Sequence, residues 1–592
     1  MSAVDPRAWA APRPSGIRRY VPILSWLPVY DRSFLRFDAI AGATVWGLLV
    51  PESIAYAGLA GLPPETGLYT LLATLAAYAI FGTSRHLVAG ATSAAAVLIA
   101  SGVAAVDPAG AAEYAAAGAA IVLFCGGLFL IAGFLRLGFV AQFLSLPVMA
   151  GFVFGLAIFV TVKQLPKLFG IEGGSGDTIR QFVHLLTHLG DTSGATLAVG
   201  AGALGLLFGL ERFAPKVPGG LIALVLGIVI SGALDLSQHG VQIVGDVPRG
   251  LPSLGIPDIH RGDVVTLIAA AAGMLLVIFS ESLGAAETFA AKHGYEIDPN
   301  QELIALGVAN LGSGFMGGLA GGGSLSQSAV NEGAGARSEV SPIVAAVLVV
   351  VTVLFLTPLF KNLPEAVLAA LIIFAVSHLW KIREFEGYFR VSRVEFWLGL
   401  ATLAGVLVFD VLPGLLIGVV AMLLFFIYQA STPHVVPLGR IPAVAGAYGN
   451  LARHPDYEDV PGLLVLRLDA PLFYANSEGV GDRIKWLVGA ADPLPRAVIL
   501  DAGANESMDI TSAVMLQGLI TSLRAAGIDF ALAEVRHLAT GVAHRSRLFE
   551  LLGENRVFDT VEEAVTTLEG PAGRAPRRED GAEQPVAAGA GE

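Results

Sequence analysis

Residues Gly317–Ser341 read GGLAGGGSLSQSAVNEGAGARSEVS, a glycine- and hydroxyl-rich stretch set inside a long apolar chain. Three consecutive glycines, Gly321, Gly322 and Gly323, are poor occupants of a helix or a strand. Ser324-Leu325-Ser326-Gln327-Ser328-Ala329-Val330 can begin a short helix, and the apolar segments on both sides place its start near mid-membrane. Irregular backbone at that depth survives only where it is buried in protein or lines a cavity. A half-helix starting there offers free N–H groups and a positive dipole end to an anion. A glycine-rich packing joint between helices would have the same composition, so this stretch alone leaves both readings open.

A second copy favours the first. Ala89–Val97 reads AGATSAAAV and Ala320–Ser328 reads AGGGSLSQS, with Ser93 and Ser324 231 residues apart. Upstream, Pro51-Glu52-Ser53-Ile54-Ala55 resembles Ser280-Glu281-Ser282-Leu283-Gly284, with Glu52 and Glu281 229 residues apart. Two likenesses at nearly one offset indicate a duplicated unit. Glycine-interrupted apolar segments at matching places in two halves mark the substrate site of a transporter.

Only 14% of the 592 residues are charged and the mean hydropathy is +0.69, against about 25% charged in soluble proteins. The apolar excess runs from about 38 to 432 and divides the chain into residues 1–37, a membrane domain at 38–432, a soluble domain at 433–569 and a tail at 570–592 expected to be disordered. Seven apolar segments are expected before residue 235, with an interfacial helix at Asp177–Leu189, and seven more follow from Gly262, with an amphipathic stretch at Lys381–Arg393. The segments starting at Ser93 and Ser324 are too short to cross and read as half-helices. With both termini cytoplasmic, 16 Lys/Arg before Thr432 fall on the inner side and six outside (Lys163, Lys167, Arg180, Arg249, Arg261, Lys361), as the positive-inside rule requires. A net charge of −13 argues against nucleic acid as a partner, and the single cysteine, Cys125, excludes an intrachain disulfide or a cysteine metal cluster. No cleavable signal peptide is visible.

After a linker at Pro433–Tyr457, strands are expected at Gly462–Leu468, Ala470–Tyr474, Arg496–Asp501 and Asp529–Glu534. Helices are expected at Ser477–Val488, Thr511–Ala525, Val542–Leu552 and Val561–Leu568, which together make a small α/β layer domain.

Several motifs resemble those of the sulfate permease (SulP) family, the solute-carrier anion exchangers that include prestin. The first half carries Asp38-Ala39-Ile40-Ala41-Gly42, Val50-Pro51-Glu52-Ser53-Ile54-Ala55-Tyr56-Ala57, Gly67-Leu68-Tyr69 and Gly82-Thr83-Ser84-Arg85-His86. The second carries Lys292-His293-Gly294-Tyr295, the run Asn300–Gly307 and the run Ser324–Asn331. The soluble domain resembles a STAS domain. The resemblance extends from about Tyr20 to Leu568. It implies a polytopic α-helical fold of two inverted seven-segment repeats, with 14 membrane segments divided between a core and a gate. It also implies half-helices meeting head to head at an anion site, a homodimer, and an elevator-like shift of core against gate. Many relatives carry arginine where Gln327 stands. Arginine brings a fixed charge, whereas glutamine offers only neutral hydrogen bonds, so binding here would lean on the helix ends.

The candidate substrate-binding residues are Tyr56, Thr92, Ser93, Ser324, Leu325, Ser326 and Gln327. Glu52 and Glu281 are the candidate coupling-ion residues, because intramembrane carboxyls are expensive and usually functional. Pro51 is expected to break the helix beside Glu52 and free a carbonyl. A structural hydrogen bond is the alternative for Glu281, and core packing for Tyr56. Glu287 is expected near a helix end, and Arg85, Lys292 and Arg337 as surface anchors rather than ligands. At Asp509-Ile510-Thr511-Ser512, helix capping by Asp509 is favoured over a phosphorylated switch. The expected activity is transport of an inorganic anion, sulfate first, by proton symport across the cell membrane. Sodium coupling, exchange, bicarbonate or a dicarboxylate such as fumarate stay open, as does a membrane-anchored signalling protein with a cytoplasmic partner at the STAS domain. No cofactor or metal is expected, no GxxxxGK[ST] loop is present and an enzyme is disfavoured.

Overall fold

The computed structural model describes residues 16–569 apart from 140–144, 175–176, 215–216, 381, 443 and 506–507. The tail at 570–592 and residues 1–15 of the N-terminal lead lie outside these residues. By their contacts the residues form two units, Met1–Leu423 and Leu424–Glu592.

Two short helices, α1 (Ile17–Tyr20) and α2 (Ile23–Trp26), precede the first unit's two matching series. The first series is α3 (Leu35–Leu59), α4 (Pro64–Phe81), β1 (Ala89–Ala91), α5 (Ser93–Ala104), α6 (Ala111–Phe134), α7 (Leu146–Phe169), α8 (Thr178–Thr187), α9 (Gly194–Phe213) and α10 (Gly219–Ala233). The second repeats the order as α11 (Val264–His293), α12 (Pro299–Phe315), β2 (Gly321–Gly323), α13 (Leu325–Gly333), α14 (Val340–Val351), α15 (Glu365–Ser377), α16 (Ile382–Val391), α17 (Arg393–Phe409) and α18 (Val411–Ser431). After α14 the chain continues through a π-helical and a 3-10 turn to Asn362. Each series thus holds seven apolar helices or half-helices and one amphipathic helix, α8 or α16, where the sequence places them. Among the described residues, seven helices are long and apolar enough to cross a membrane by length and composition, and α5, α10 and α15 are shorter apolar helices.

Two sequence expectations fail here. Gly321–Gly323 do form a strand, paired antiparallel with β1 in the register Ala89↔Gly323, Gly90↔Gly322, Ala91↔Gly321. The glycines are needed for space. A Cβ on Gly322 would sit 2.7 Å from Ile278 Cγ2, and one on Gly323 2.5 Å from Leu87 Cδ2. The second failure is at Pro51, which lies inside the unbroken helix α3. A proline deletes one i→i−4 bond, and the packing of α3 against α4 and α14 holds the helix through that gap.

The second unit contains a six-stranded sheet in the order β4-β3-β5-β6-β7-β8. Its strands are β3 (Val435–Arg440), β4 (Tyr448–Asn450), β5 (Leu463–Leu468), β6 (Ala497–Asp501), β7 (Asp529–Ala533) and β8 (Val557–Phe558). Its helices are α19 (Ser477–Ala490), α20 (Ile510–Ala525), α21 (His537–Arg545), α22 (Leu548–Leu552) and α23 (Val561–Glu569). Strands β5 to β8 run parallel, and β3 is antiparallel to both neighbours. Side chains alternate across the sheet as the pleat demands. Leu466, Leu468, Val498, Leu500, Phe530 and Leu532 join α19 to α22 in one core. Val465, Ile499, Ala531 and Ala533 face α23 in the other. The stretch Ala470–Tyr474 forms no strand, because its backbone turns to receive side chains: Leu472 N donates to Asn505 Oδ1 and Phe473 N to Asn476 Oδ1, both at 2.9 Å. The expected helix Val542–Leu552 is divided at Arg547, which has φ +62°.

Candidate functional site

The half-helices α5 and α13 leave opposite ends of the β1–β2 ladder, so their N-termini approach one crossing from opposite sides. The two ends are finished differently. Thr92 caps α5, its Oγ1 accepting from Ala95 N at 3.2 Å. Ser324 makes no side-chain cap on α13; its hydroxyl meets Ser326 Oγ at 3.0 Å. The leading N–H groups of α13 are therefore uncovered by side chains, and Leu325 and Ser326 at this end are exposed. An uncapped helix start carries about half a positive charge. Ser93 is half-buried at the first position of α5.

Gln327 is 2% exposed and joins three elements. Its Nε2 donates to Glu52 Oε2 on α3 at 3.0 Å and to the Ala91 carbonyl at 3.2 Å. Its Oε1 is buried without a partner, and a Cβ at Gly90 would lie 3.0 Å from it. Tyr56, one turn after Glu52, is buried within electrostatic reach of both Glu52 and Glu281. Among the described residues, none forms a hydrogen bond or ion pair with the Glu281 carboxyl on α11. The crossing thus gathers Glu52, Tyr56, Thr92 and Gln327, with Glu281 on the helix packed against β2 and α13.

The residues set aside as ligands lie elsewhere. Lys292 pairs with Glu332 Oε1 at 2.7 Å, and Arg85 stacks over the Tyr295 ring at 5.5 Å. Arg337 lies over Phe37 at 4.3 Å, and Glu287 is exposed. A cavity of about 260 Å³ lies one turn along α3 from Glu52, lined by Ile54, Ala55, Gly58 and the ion-paired Lys167 and Glu365, and none of the candidate residues lines it.

Sequence reasoning missed the residues that hold the ladder. In an antiparallel pair, ladder bonds alternate, so every second residue turns its N–H away from the partner strand. Gly321 and Gly323 are such residues. Asn310 serves Gly321 twice, accepting from its N–H at 2.9 Å and donating to its carbonyl at 2.9 Å. Ser282 Oγ accepts from Gly323 N at 2.7 Å, and Ser328 Oγ accepts from Val88 N at 2.8 Å. Asn310, Ser282 and Ser328 are each 0% exposed. An asparagine among the apolar residues of α12 was the available signal, since a buried amide must find partners.

In the second unit, Asp509 Oδ1 accepts from Ser512 N at 2.7 Å and caps α20, as the favoured reading requires. Ser512 is fully buried and Thr511 is exposed.

Comparison with known proteins agrees with this architecture. Residues 35–402 match the sulfate permease family and residues 454–564 the STAS domain. A Mycobacterium tuberculosis protein named "probable sulfate transporter" is 34% identical over 536 residues, covering 90% of this chain and 96% of that protein. Arabidopsis thaliana "sulfate transporter 1.2" is 32% identical, covering 93% and 88%. The structure of the murine anion transporter Slc26a9 in its inward-facing state superposes with a TM-score of 0.86 at 23% identity, covering 93% of this chain and 94% of that one. The transmembrane domain of a cyanobacterial bicarbonate transporter, BicA, covers 66% of this chain and 98% of its own at a TM-score of 0.57 and 23% identity.

Proposed function

Because this chain belongs to the sulfate permease family and ends in a STAS domain, we propose that it is a secondary active transporter that carries sulfate by proton symport. The observation that carries this reading is the crossing itself. An uncapped half-helix and a capped one start from opposite ends of a ladder built of glycine and alanine, which brings their leading N–H groups and hydroxyls to one crossing. The anion would rest between the starts of α5 and α13, against Ser93, Ser324 and Ser326, with Thr92, Leu325, Gln327 and Tyr56 forming its walls.

Glu52 and Glu281 supply the coupling. An uncompensated carboxylate at mid-membrane costs at least ~2.5 kcal/mol, so each is protonated or paired during transit. A protonated Glu52 beside Gln327 admits the anion without like-charge repulsion, and loss of the proton to the cytoplasm then expels it. Helices α3 to α6 and α11 to α14 form the moving core, the remaining spans form the gate, and the protein works as a homodimer in the cell membrane with both termini and the STAS domain cytoplasmic.

Uptake of labelled sulfate, bicarbonate and fumarate into proteoliposomes, with an imposed pH gradient and with or without sodium, tests this. Uphill sulfate uptake driven by inward protons is expected. Glu52→Gln and Glu281→Gln should keep exchange and lose that uphill step. If both variants still concentrate sulfate, proton coupling through these residues is wrong. Sodium dependence would reassign Glu281 as a cation ligand, and zero flux of every anion would favour a signalling role.

A further inference from the structure

Three buried carboxyls meet where α3, α4, α12 and α14 pack together, away from the half-helix crossing. Asp38 near the start of α3 is fully buried and accepts four hydrogen bonds: from Tyr30 Oη at 2.9 Å, Arg337 N at 2.7 Å, Ser338 N at 3.2 Å and Ser338 Oγ at 2.7 Å. Glu302 on α12, also fully buried, accepts from Tyr78 Oη and Thr83 Oγ1 at 2.6 Å each and from Thr83 N at 2.8 Å. The oxygens of both groups are thus taken up by donors.

Glu339, immediately before α14, is different. It is 3% exposed, and neither Oε1 nor Oε2 has a hydrogen-bond partner among the described residues. Four titratable groups face it: Asp38 from α3, Tyr78 from α4, Glu302 from α12, and Tyr295 from the turn before α12. None of them carries positive charge. Arg337, two residues earlier, directs its guanidinium over Phe34 and Phe37, at 4.8 and 4.3 Å from the ring centres. An ionised Glu339 would be a buried anion beside two other buried carboxyls, with no donor and no cation among the described residues, an arrangement far costlier than a neutral acid.

We propose that Glu339 is a proton-binding site, occupied at neutral pH and distinct from Glu52 and Glu281. Asp38 and Glu52 are separated by about 20 Å along α3, at 1.5 Å per residue, so the two sites do not share a proton. A proton is the ligand that fits. The oxygens of Asp38 and Glu302 are already taken by donors, which leaves one carboxyl, far short of the six or more oxygens a hard divalent cation takes. The site is mechanically linked to the half-helix α13. Ser341 Oγ, two residues on, donates to Asn331 Oδ1 of α13 at 2.6 Å, and Ser338 on the other side is tied to Asp38. Losing the proton therefore sets Glu339 against Asp38 and Glu302 in the segment that joins α3 to α13.

The test uses the full-length protein in detergent. Infrared difference spectra between neutral and alkaline buffer should show a protonated-carboxyl band lost on alkalinisation. Glu339→Gln should remove that component, and Glu281→Gln should leave it. Thermal unfolding supplies a second readout. If the folded state alone keeps this proton, stability falls as pH rises, by up to tenfold in the folding equilibrium per pH unit while Glu339 is the group titrating. Glu339→Gln should lose that slope and be the more stable protein at alkaline pH. Should the amide disturb packing, Glu339→Met is read in the same way. An unchanged band and slope in the variant overturn the proposal. So does failure of both neutral variants to fold, since that would mean the charged form is required.

Discussion

Asn310→Ala isolates the ladder from the half-helices it positions. Asn310 is fully buried, and alanine there removes both bonds to Gly321, leaving its N–H and carbonyl unpaired in a dry interior. Each orphaned group costs about 1–3 kcal/mol, so a loss of about 2–5 kcal/mol is expected. Asn310 Nδ2 also donates to the Leu306 carbonyl at 2.8 Å, but that oxygen is already within a helix and adds little. The loss should fall on β2 and the start of α13, so the anion KM should rise more than the maximal rate falls. Asn310→Asp is the discriminating companion. It keeps an acceptor for Gly321 N but places a carboxylate oxygen against the Gly321 carbonyl, so it should be at least as damaging as alanine. The assays are thermal unfolding in detergent and sulfate uptake in proteoliposomes. A stability change below ~0.5 kcal/mol with an unchanged KM for the alanine variant, or tolerance of the aspartate, would refute the reasoning.

Ser326→Trp should abolish uptake while leaving a folded protein, because position 326 is exposed at the uncapped end of α13; normal flux would remove the anion from that end. Deleting residues 433–592 should lower rate or expression but keep anion binding, measured as ligand-induced stabilisation, since every residue of the crossing precedes 433. Gln327→Arg should strengthen divalent over monovalent anions, and more so when Glu52 is also made Gln, because Glu52, 3.0 Å from the present amide, would otherwise neutralise the arginine; equal affinities in all backgrounds would place side chain 327 outside the site. In the STAS domain, burial raises the Asp501 carboxyl above its ordinary value, and the hydrogen bond from Gly503 N only partly offsets this. The penalty of its charge is therefore full above the folded-state pKa and vanishes below the unfolded one. Asp501→Asn should unfold at higher temperature than the parent near neutral pH, with the gap closing on acidification, and a gap that widens in acid would contradict the assignment.

Much of this architecture was readable because apolar length and breaks in it are sequence properties. The two series of seven, the interfacial α8 and α16, and both half-helix starts follow from where hydropathy stops and glycine or serine intervenes. Local rules misled where tertiary packing overrides them. Gly321–Gly323 look unfit for a strand by propensity, yet Ile278 and Leu87 leave room for nothing larger. Pro51 looks like a helix break, yet α3 continues through it. The stretch Pro433–Tyr457, expected to be a linker, instead contains β3 and β4; in the sheet, Pro437 pairs with Leu466 and its carbonyl accepts from Leu451 N at 3.1 Å, so the missing N–H is tolerated. The supports at Asn310, Ser282 and Ser328 were not readable as such, because a polar residue's partner lies more than ten residues away in every case.

The pairing of Glu52 with Gln327 bears on why a neutral residue can stand at position 327, where the family resemblance leads one to expect arginine. An arginine offers donors only, so it suits an ionised carboxyl and loses its partner when that carboxyl takes up a proton. A carboxamide offers both kinds of atom. Nε2 of Gln327 donates to Glu52 at 3.0 Å, while its Oε1 is buried and unpartnered. An ionised Glu52 is served by the amide nitrogen, and a protonated Glu52 can still accept from it through its carbonyl oxygen. The same residue then satisfies both protonation states without bringing a fixed charge into the crossing. Under the proposed coupling this is what a titrating carboxyl beside an anion requires. Under that proposal the positive potential for the anion would come from the uncapped start of α13, which does not titrate, and the change of charge would be left to Glu52 and Glu281.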